Sequence, residues 1–278
     1  MNQSTTSSDK TAVADKAQAR SVSFKSVALP AEHGSWSLVS EPILLGMFIA
    51  PTWPGLALVV AAFFLFLLNR PFKIYWTDRR RGRFYERTAL ARRYTLIFGA
   101  VALAAAIAAL VLGGWRPFVP FLLAAPLLLI FMIYDQRPGR HWQAELAAPV
   151  AFAALVMSVA LAGGYSWIVA LALWGFMSAR TVPAVMFVRA RLRLDKGKPV
   201  SLWKTIVAHI AAVVLVALLV WQGWLPMTAA IAMIILLGRA IWGFSDYRWR
   251  SSMKALGFLE TGFGLLAVLL VAIGFWLW

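Results

Sequence analysis

The stretch GLALVVAAFFLFLLNRPFKIYWTDRRRGR, residues 55–83, decides the fold class. It opens with an uninterrupted apolar run and ends in a cluster of arginines. An apolar segment of about 20 residues crosses the hydrocarbon core of a bilayer, whereas arginine and lysine gather in cytoplasmic loops. The stretch therefore predicts a membrane-spanning helix whose C-terminal end faces the cytoplasm.

The composition of the whole chain indicates the same class. The 278 residues are 62% hydrophobic and 14% charged, with a mean hydropathy of +0.76. Soluble domains are roughly half apolar and a quarter charged, so an ordinary soluble fold is excluded. The chain contains no cysteine, which excludes disulfides, cysteine-ligated metals and thiol catalysis.

Eight further segments resemble this one, so the sequence predicts an all-α bundle of about nine transmembrane helices. The predicted spans are residues 34–49, 55–76, 94–112, 118–133, 145–162, 167–188, 203–220, 225–244 and 255–276. Residues 1–29 are polar and lack an apolar stretch, so they are predicted to form a disordered cytoplasmic tail. Residues 30–278 then form the transmembrane helical domain.

The loops between the predicted spans alternate between tight turns and basic segments. The turns are residues 50–54, 113–117, 163–166 and 222–224, and the basic segments are 79–93, 137–140, 189–198 and 248–254. Alternation of this kind follows the positive-inside rule, so the N-terminus is predicted in the cytoplasm and the C-terminus outside. The net charge of +16 is thereby explained by topology and attraction to anionic lipid, and no nucleic-acid partner is predicted.

Ionisable groups inside apolar spans are costly, so each one is a candidate functional residue. In the first span His33, Ser37 and Glu41 recur every four residues and share one helix face. One interpretation is that this stripe binds a proton, a cation or a headgroup, with Glu41 and His33 as candidate catalytic bases. The other is that Glu41 pairs with an arginine of a neighbouring helix.

Bases near the cytoplasmic ends of the second, sixth and eighth spans form a second candidate site. The candidate ligand-binding residues are Asn69, Arg70, Lys73, Arg180, Arg189, Arg193 and Arg239. If they converge, their guanidinium forks form a cationic pocket, open to the cytoplasm, that suits a phosphate or another oxyanion. The alternative is snorkelling to the interface, or salt bridges to Glu41, Glu145 or Glu260.

No cofactor or metal site is predicted. The sequence lacks a phosphate-binding glycine-rich loop and a dinucleotide-binding fingerprint. His209 lies in the seventh span without a second histidine at metal-ligand spacing, so a satisfied core histidine is the simpler interpretation.

The segment LPAEHGSW, residues 29–36, resembles the opening signature of the YwiC-like family of bacterial integral membrane proteins. The segments SART, residues 178–181, and VRARLR, residues 188–193, resemble that family's second recognisable region. The resemblance implies a multi-pass protein of the bacterial cytoplasmic membrane and brings no known reaction with it.

The layout is more distantly similar to that of UbiA-type prenyltransferases, in which aspartate-rich clusters on the second and sixth helices hold magnesium against a prenyl diphosphate. Asn69 matches the leading asparagine of the first cluster, but Arg70 and Lys73 stand where carboxylates are expected. Because basic side chains do not bind hard cations, this likeness implies a UbiA-like arrangement with one of two changes. Either arginine binds the diphosphate directly without a metal, or the fold binds another anionic ligand.

The sequence therefore predicts a multi-pass membrane protein with a cationic pocket for a phosphorylated amphiphile or another anion, with or without catalysis. A proton-coupled transporter of small anions is one alternative, with His33 and Glu41 carrying protons and Arg180 and Arg239 binding the anion. A non-catalytic membrane anchor or scaffold subunit is the other. The lipid bilayer is the one partner predicted in all three cases.

Overall fold

The structure is a computed structural model that describes residues 27–29, 33–82, 84–135, 141–248 and 252–278, apart from the side chains of residues 33–35 and 135. These residues form helices and connecting turns, and no strand occurs among them. The helices are α1 (His33–Ile49), α2 (Trp53–Arg80), α3 (Glu86–Gly113), α4 (Val119–Asp135), α5 (Trp142–Ala162), α6 (Trp167–Asp195), α7 (Leu202–Trp221), α8 (Met227–Phe244) and α9 (Met253–Leu277). The predicted all-α class and the nine predicted helices are confirmed for the described residues.

Eight of these helices are long and apolar enough to cross a membrane, namely α2 to α9, with α4 taken together with the short 3₁₀ turn Arg116–Phe118. Helix α1 is apolar but shorter. Their outward faces expose large apolar side chains such as Leu65, Leu122 and Trp221. Helices satisfy their own backbone hydrogen bonds, so such faces can lie against lipid. The chain is a multi-pass membrane protein.

Three helices extend well beyond the apolar windows that predicted them. Helix α2 ends at Arg80, α3 begins at Glu86, and α6 ends at Asp195. Arginine favours helices, and its long side chain keeps the charge in water while the backbone continues its hydrogen bonds. At about 1.5 Å per residue, helices of this length reach about 42 Å, which exceeds the hydrocarbon core of about 30 Å.

The described chain forms two compact units. The larger unit contains residues 33–63 and 102–278, and the smaller contains residues 27–29 together with Phe64–Val101. In the larger unit, neighbouring helices pack in the order α1, α5, α6, α7, α8, α9 and back to α1, and α6 also contacts α8 and α9. An apolar core that includes Leu173, Phe176 and Val271 fills this arrangement. Helix α6 therefore contacts α5, α7, α8 and α9.

One end of the larger unit gathers the elements predicted on the outer side of the membrane. The indole Nε1 of Trp276 donates to the carbonyl of Phe48 at 2.8 Å. The hydroxyl of Tyr165 donates to the carbonyl of Ile49 at 3.3 Å. These bonds bring the C-terminal ends of α1 and α9 to the turn between α5 and α6, as alternating loops require. Which side of the membrane this end faces stays a prediction.

The smaller unit contains the second part of α2 and the first part of α3. Its aromatic contacts include Phe64 with Phe98, whose ring centroids lie 5.7 Å apart. Near the loop between the two helices, the carboxylate of Asp78 accepts hydrogen bonds from Arg87 and Thr88. The two helices are thus joined by polar bonds at their basic ends. The predicted tail lies almost entirely outside the described residues.

Candidate functional site

Four charged side chains from four helices meet inside the larger unit. Nη2 of Arg180 on α6 lies 2.8 Å from Oε1 of Glu41 on α1. Nη1 of Arg239 on α8 lies 2.7 Å from Oε1 of Glu260 on α9. Nη2 of Arg180 also donates to the backbone carbonyl of Glu260 at 3.0 Å, which joins the two pairs. We call these four residues the charge network.

The charge network is deep within the helices. Arg180 is 4% exposed and Glu41 is 1% exposed. At about 1.5 Å per residue, Arg180 lies about 20 Å from either end of α6. Charges in such surroundings persist only when they are paired, because an isolated ion is too costly to remove from water. The pairing therefore holds α1, α6, α8 and α9 in one relative arrangement.

Several polar atoms of the charge network have no hydrogen-bond partner among the described residues. They are Nε of Arg180, Nε and Nη2 of Arg239, Oε2 of Glu260, and Oε1 of Glu41, which forms an ion pair with Arg180 but no hydrogen bond. The guanidinium of Arg239 instead lies 4.1 Å from the ring centroid of Phe187 and 5.6 Å from that of Phe263. Aromatic faces stabilise a cation but do not accept directed hydrogen bonds in the way oxygen does. Among the described residues, the network thus keeps unused donors and two unused acceptors.

Gly264 on α9 allows the ion pair of Glu41 and Arg180 to pack against that helix. A Cβ atom at this position would overlap both Oε1 of Glu41 and Nη2 of Arg180. A glycine in a helix interior is otherwise unfavourable by about 1 kcal/mol. Its close approach to the two charged groups is the physical reason for a glycine here.

His209 on α7 lies beside the same region. Its Nδ1 atom is 2.8 Å from the carbonyl oxygen of Thr205, and its ring contacts that of Phe187 edge-on at 6.5 Å. A carbonyl oxygen only accepts, so the neutral ring carries its proton on Nδ1. Nε2 is then an acceptor, and it is buried without a partner among the described residues. The packing agrees with a core histidine, although its hydrogen bonding is incomplete.

Three of the predicted ligand-binding arginines are paired with carboxylates. Arg180 pairs with Glu41, Arg239 with Glu260, and Nη1 of Arg189 lies 2.5 Å from Oε2 of Glu145. This geometry is the salt-bridge alternative that the sequence left open. Binding of a ligand by these arginines stays a prediction. The same holds for Arg193, which is exposed near the end of α6.

Of the two predicted catalytic bases, Glu41 and His33, the structure describes the side chain of Glu41 only. Glu41 is buried and engaged with Arg180, so it has a partner that fixes its position. The side chain of His33 lies outside the described residues. A general-base role for either residue stays a prediction.

The remaining predicted site residues belong to the smaller unit. Arg70 donates from Nη1 to the carbonyl of Leu29 at 2.7 Å, and Asn69 is exposed. Lys73 lines a cavity of about 200 Å³ together with Ile74, Thr77, Asp78, Arg81 and Arg87. We call this the basic cavity. Of the predicted site residues Asn69, Arg70 and Lys73, only Lys73 contributes to the lining of the basic cavity.

Asp78 organises the basic cavity. Its carboxylate is 3.0 Å from Nη2 and 3.2 Å from Nε of Arg87, and it accepts from the hydroxyl of Thr88 at 2.7 Å. The two bonds from Arg87 to one carboxylate fix the orientation of its guanidinium. The carboxylate of Asp78 accepts from two of the five N–H groups of Arg87, so this ion pair does not use the other three.

Sequence reasoning missed several residues of these sites. Arg81 and Arg87 looked like ordinary loop bases, and Arg191 looked like one base in a basic run. Arg191 is in fact 3% exposed, and it donates to Asp195 and to the carbonyl of Gly243. The spacing of Arg191 and Asp195, four residues apart on α6, is the signal that could have revealed the pair.

The fold and these sites define a polytopic helical membrane protein with charges buried between its helices. Residues 29–160 match the family model described as YwiC-like protein, which confirms the predicted resemblance over that segment. The second segment that carried the resemblance, residues 178–193, lies beyond the matched range. No curated protein and no solved structure matches the chain. A UbiA-like arrangement stays a prediction.

Proposed function

We propose that this multi-pass protein binds the phosphate group of a phosphorylated amphiphile in the basic cavity. The observation that carries the proposal is the lining of that cavity, in which Lys73, Arg81 and Arg87 outnumber the single acid, Asp78. Phosphate groups are recognised by such clusters because they offer several charge-assisted hydrogen bonds at once.

The acid of the basic cavity does not oppose an anion strongly. Asp78 is already neutralised by Arg87 and further bound by Thr88. By composition, the lining carries three bases and one acid. Arg87 is held by two bonds to one carboxylate, so its orientation is fixed before a ligand arrives. Such preorganisation lowers the entropic cost of binding.

The surface next to the basic cavity suits an apolar chain. Phe72 and Trp76 on α2 are both exposed, and their rings stack with centroids 5.9 Å apart. The guanidinium of Arg80 lies 5.0 Å from the ring of Trp76. Tryptophan beside arginine is typical of the headgroup level of a membrane. An amphiphile would place its chain along this aromatic surface and its phosphate among the bases.

The proposal includes the predicted location. The basic loops face the cytoplasm of a bacterial cell, and the phosphate therefore approaches from the inner leaflet. Arginine-rich loops at the ends of α2 and α6 support this orientation through the positive-inside rule.

The experiment compares three probes on the purified protein in phosphate-free detergent buffer. They are dihexanoyl phosphatidic acid, dihexanoyl glycerol and inorganic phosphate, with binding followed by calorimetry. The proposal expects the phosphatidic acid to bind at least about tenfold more tightly than either other probe, because phosphate and chain contribute together. Equal affinity for phosphatidic acid and inorganic phosphate would identify a free-phosphate site instead. Binding of none of the three would overturn the proposal and favour the anchor alternative.

A further inference from the structure

The charge network offers chemistry that amphiphile binding in the basic cavity does not use. Two carboxylates, Glu41 and Glu260, face two guanidiniums, Arg180 and Arg239. With all four groups ionised, the network has no net charge. A buried region inside a membrane resists any change in net charge, because the bilayer cannot solvate the added ion. Whatever the network binds must therefore leave its charge balanced.

The unused donors of the network favour an oxyanion. Nε of Arg180 and both Nε and Nη2 of Arg239 are buried and donate to no oxygen in the described part of the chain. An unsatisfied buried donor is costly, and a guest that accepts hydrogen bonds removes that cost. A planar, monovalent oxyanion matches the geometry of a guanidinium fork. The donor set thus selects the chemical class of the guest.

The carboxylates of the network determine what must accompany that anion. Oε2 of Glu260 is buried with no hydrogen-bond partner among the described residues, and its negative charge would repel an incoming anion. A proton on this carboxylate removes the repulsion and turns the oxygen into a hydrogen-bond donor. The added proton also cancels the charge of the anion. Protonation of Glu41 would likewise remove its negative charge and weaken its ion pair with Arg180.

The other ionisable groups around the network come from the neighbouring helices. Helix α7 contributes His209, whose Nε2 has no hydrogen-bond partner in the described part of the chain and can accept a proton. The one ionisable residue of α5 is Glu145, which lies in the first turn of that helix and pairs with Arg189. Among the described residues of this region, Glu41, Glu260 and His209 are therefore groups that can accept a proton.

We infer that the charge network takes up a small monovalent oxyanion together with one proton, as a neutral combination. The proton comes from solution and binds to a carboxylate oxygen or to Nε2 of His209. The anion accepts hydrogen bonds from the guanidiniums of Arg180 and Arg239. This site is separate from the basic cavity and does not depend on amphiphile binding.

The first test counts protons on the unmodified protein. Nitrate is titrated into the purified protein by calorimetry, in two buffers of equal pH and different ionisation enthalpy, and formate serves as a second probe. Nitrate stays deprotonated in this range, so any proton taken up binds to the protein. The inference expects uptake of about one proton per nitrate bound, by linkage. Binding without proton uptake, or no binding of either probe, would overturn it.

The second test uses paired variants that keep the network neutral. Arg239→Gln with Glu260→Gln removes one buried pair without leaving a lone charge. The matched control, Arg189→Gln with Glu145→Gln, removes a partly exposed pair of the same residue types. The inference expects nitrate affinity to fall at least about tenfold in the first variant and to change less than about twofold in the control. Equal affinities in folded variants would overturn it, and if the first variant does not fold, the proton count on the unmodified protein decides.

Discussion

Nη1 of Arg239 lies 2.7 Å from Oε1 of Glu260, and both side chains are at least nine-tenths removed from solvent. The two residues belong to α8 and α9, so one ion pair joins two helices inside the larger unit. The second pair, Arg180 with Glu41, joins α6 to α1. The two ion pairs thus connect four helices of the larger unit.

Removing one charge of this pair should destabilise the protein strongly. Glu260→Gln leaves Arg239 buried without its carboxylate, and breaking a buried pair from one side costs about 3 kcal/mol or more. Unfolding of the purified protein in a denaturing detergent, followed by tryptophan fluorescence, measures the loss. Glu145→Gln is the control, because its partly exposed pair should contribute about 1 kcal/mol or less. Similar losses in the two variants would contradict the importance of burial.

Gly264 should not tolerate a side chain, whereas a neighbouring glycine should. In Gly264→Ala the new methyl group would overlap Glu41 and Arg180, and overpacking of this kind costs about 1–3 kcal/mol. At Gly262, on the same helix, an added Cβ meets no atom within 4 Å. Gly262→Ala should therefore be neutral or slightly stabilising. Thermal unfolding of both variants compares them, and equal melting temperatures would argue against the close packing.

The polar bonds of Asp78 should protect the segment between α2 and α3. Asp78→Asn weakens the contacts to Arg87 and Thr88, so local opening should become easier and trypsin should cut the arginines nearby about tenfold faster. Glu86→Gln removes the same charge from an exposed position and should leave the cleavage rate unchanged. Indistinguishable rates for the two variants would show that Asp78 does not hold the segment.

The topology can be measured directly, because the chain contains no cysteine. Lys198→Cys introduces a thiol at an exposed position after α6, and Gln222→Cys introduces one after α7. The positive-inside rule predicts that an impermeant maleimide labels the second variant on intact cells and the first only after the membrane is opened. The reverse pattern would place the basic loops outside.

Much of the fold could be predicted because the signal is local. An apolar run of sufficient length predicts a spanning helix whatever it packs against, and all nine predicted helices occur among the described residues. The predicted spans were shorter than helices α2, α3 and α6. Hydropathy marks the part of a helix that lies in the lipid, and it does not mark where the backbone hydrogen bonds of the helix end. Helix length beyond the membrane needs propensity and capping as well.

The site was harder to predict, because tertiary packing determines which charged residues form ion pairs. The sequence identified Arg180 and Arg239 as buried charges but left their partners open. The choice of Glu41 and Glu260 depends on which helices surround α6, and periodicity does not determine that order. The role of Gly264 is likewise visible only once α9 lies against the ion pair.

The central claim, a phosphate site in the basic cavity, is tested most directly by one comparison of affinities. Lys73→Gln with Arg81→Gln removes two bases from the lining, and Arg92→Gln with Arg93→Gln removes two exposed bases from α3. Binding of dihexanoyl phosphatidic acid is then measured by calorimetry at one ionic strength. The first variant should bind at least about tenfold more weakly than the unmodified protein, and the control less than about threefold. Equal weakening in both would show a general attraction of charges and contradict a phosphate site in the cavity.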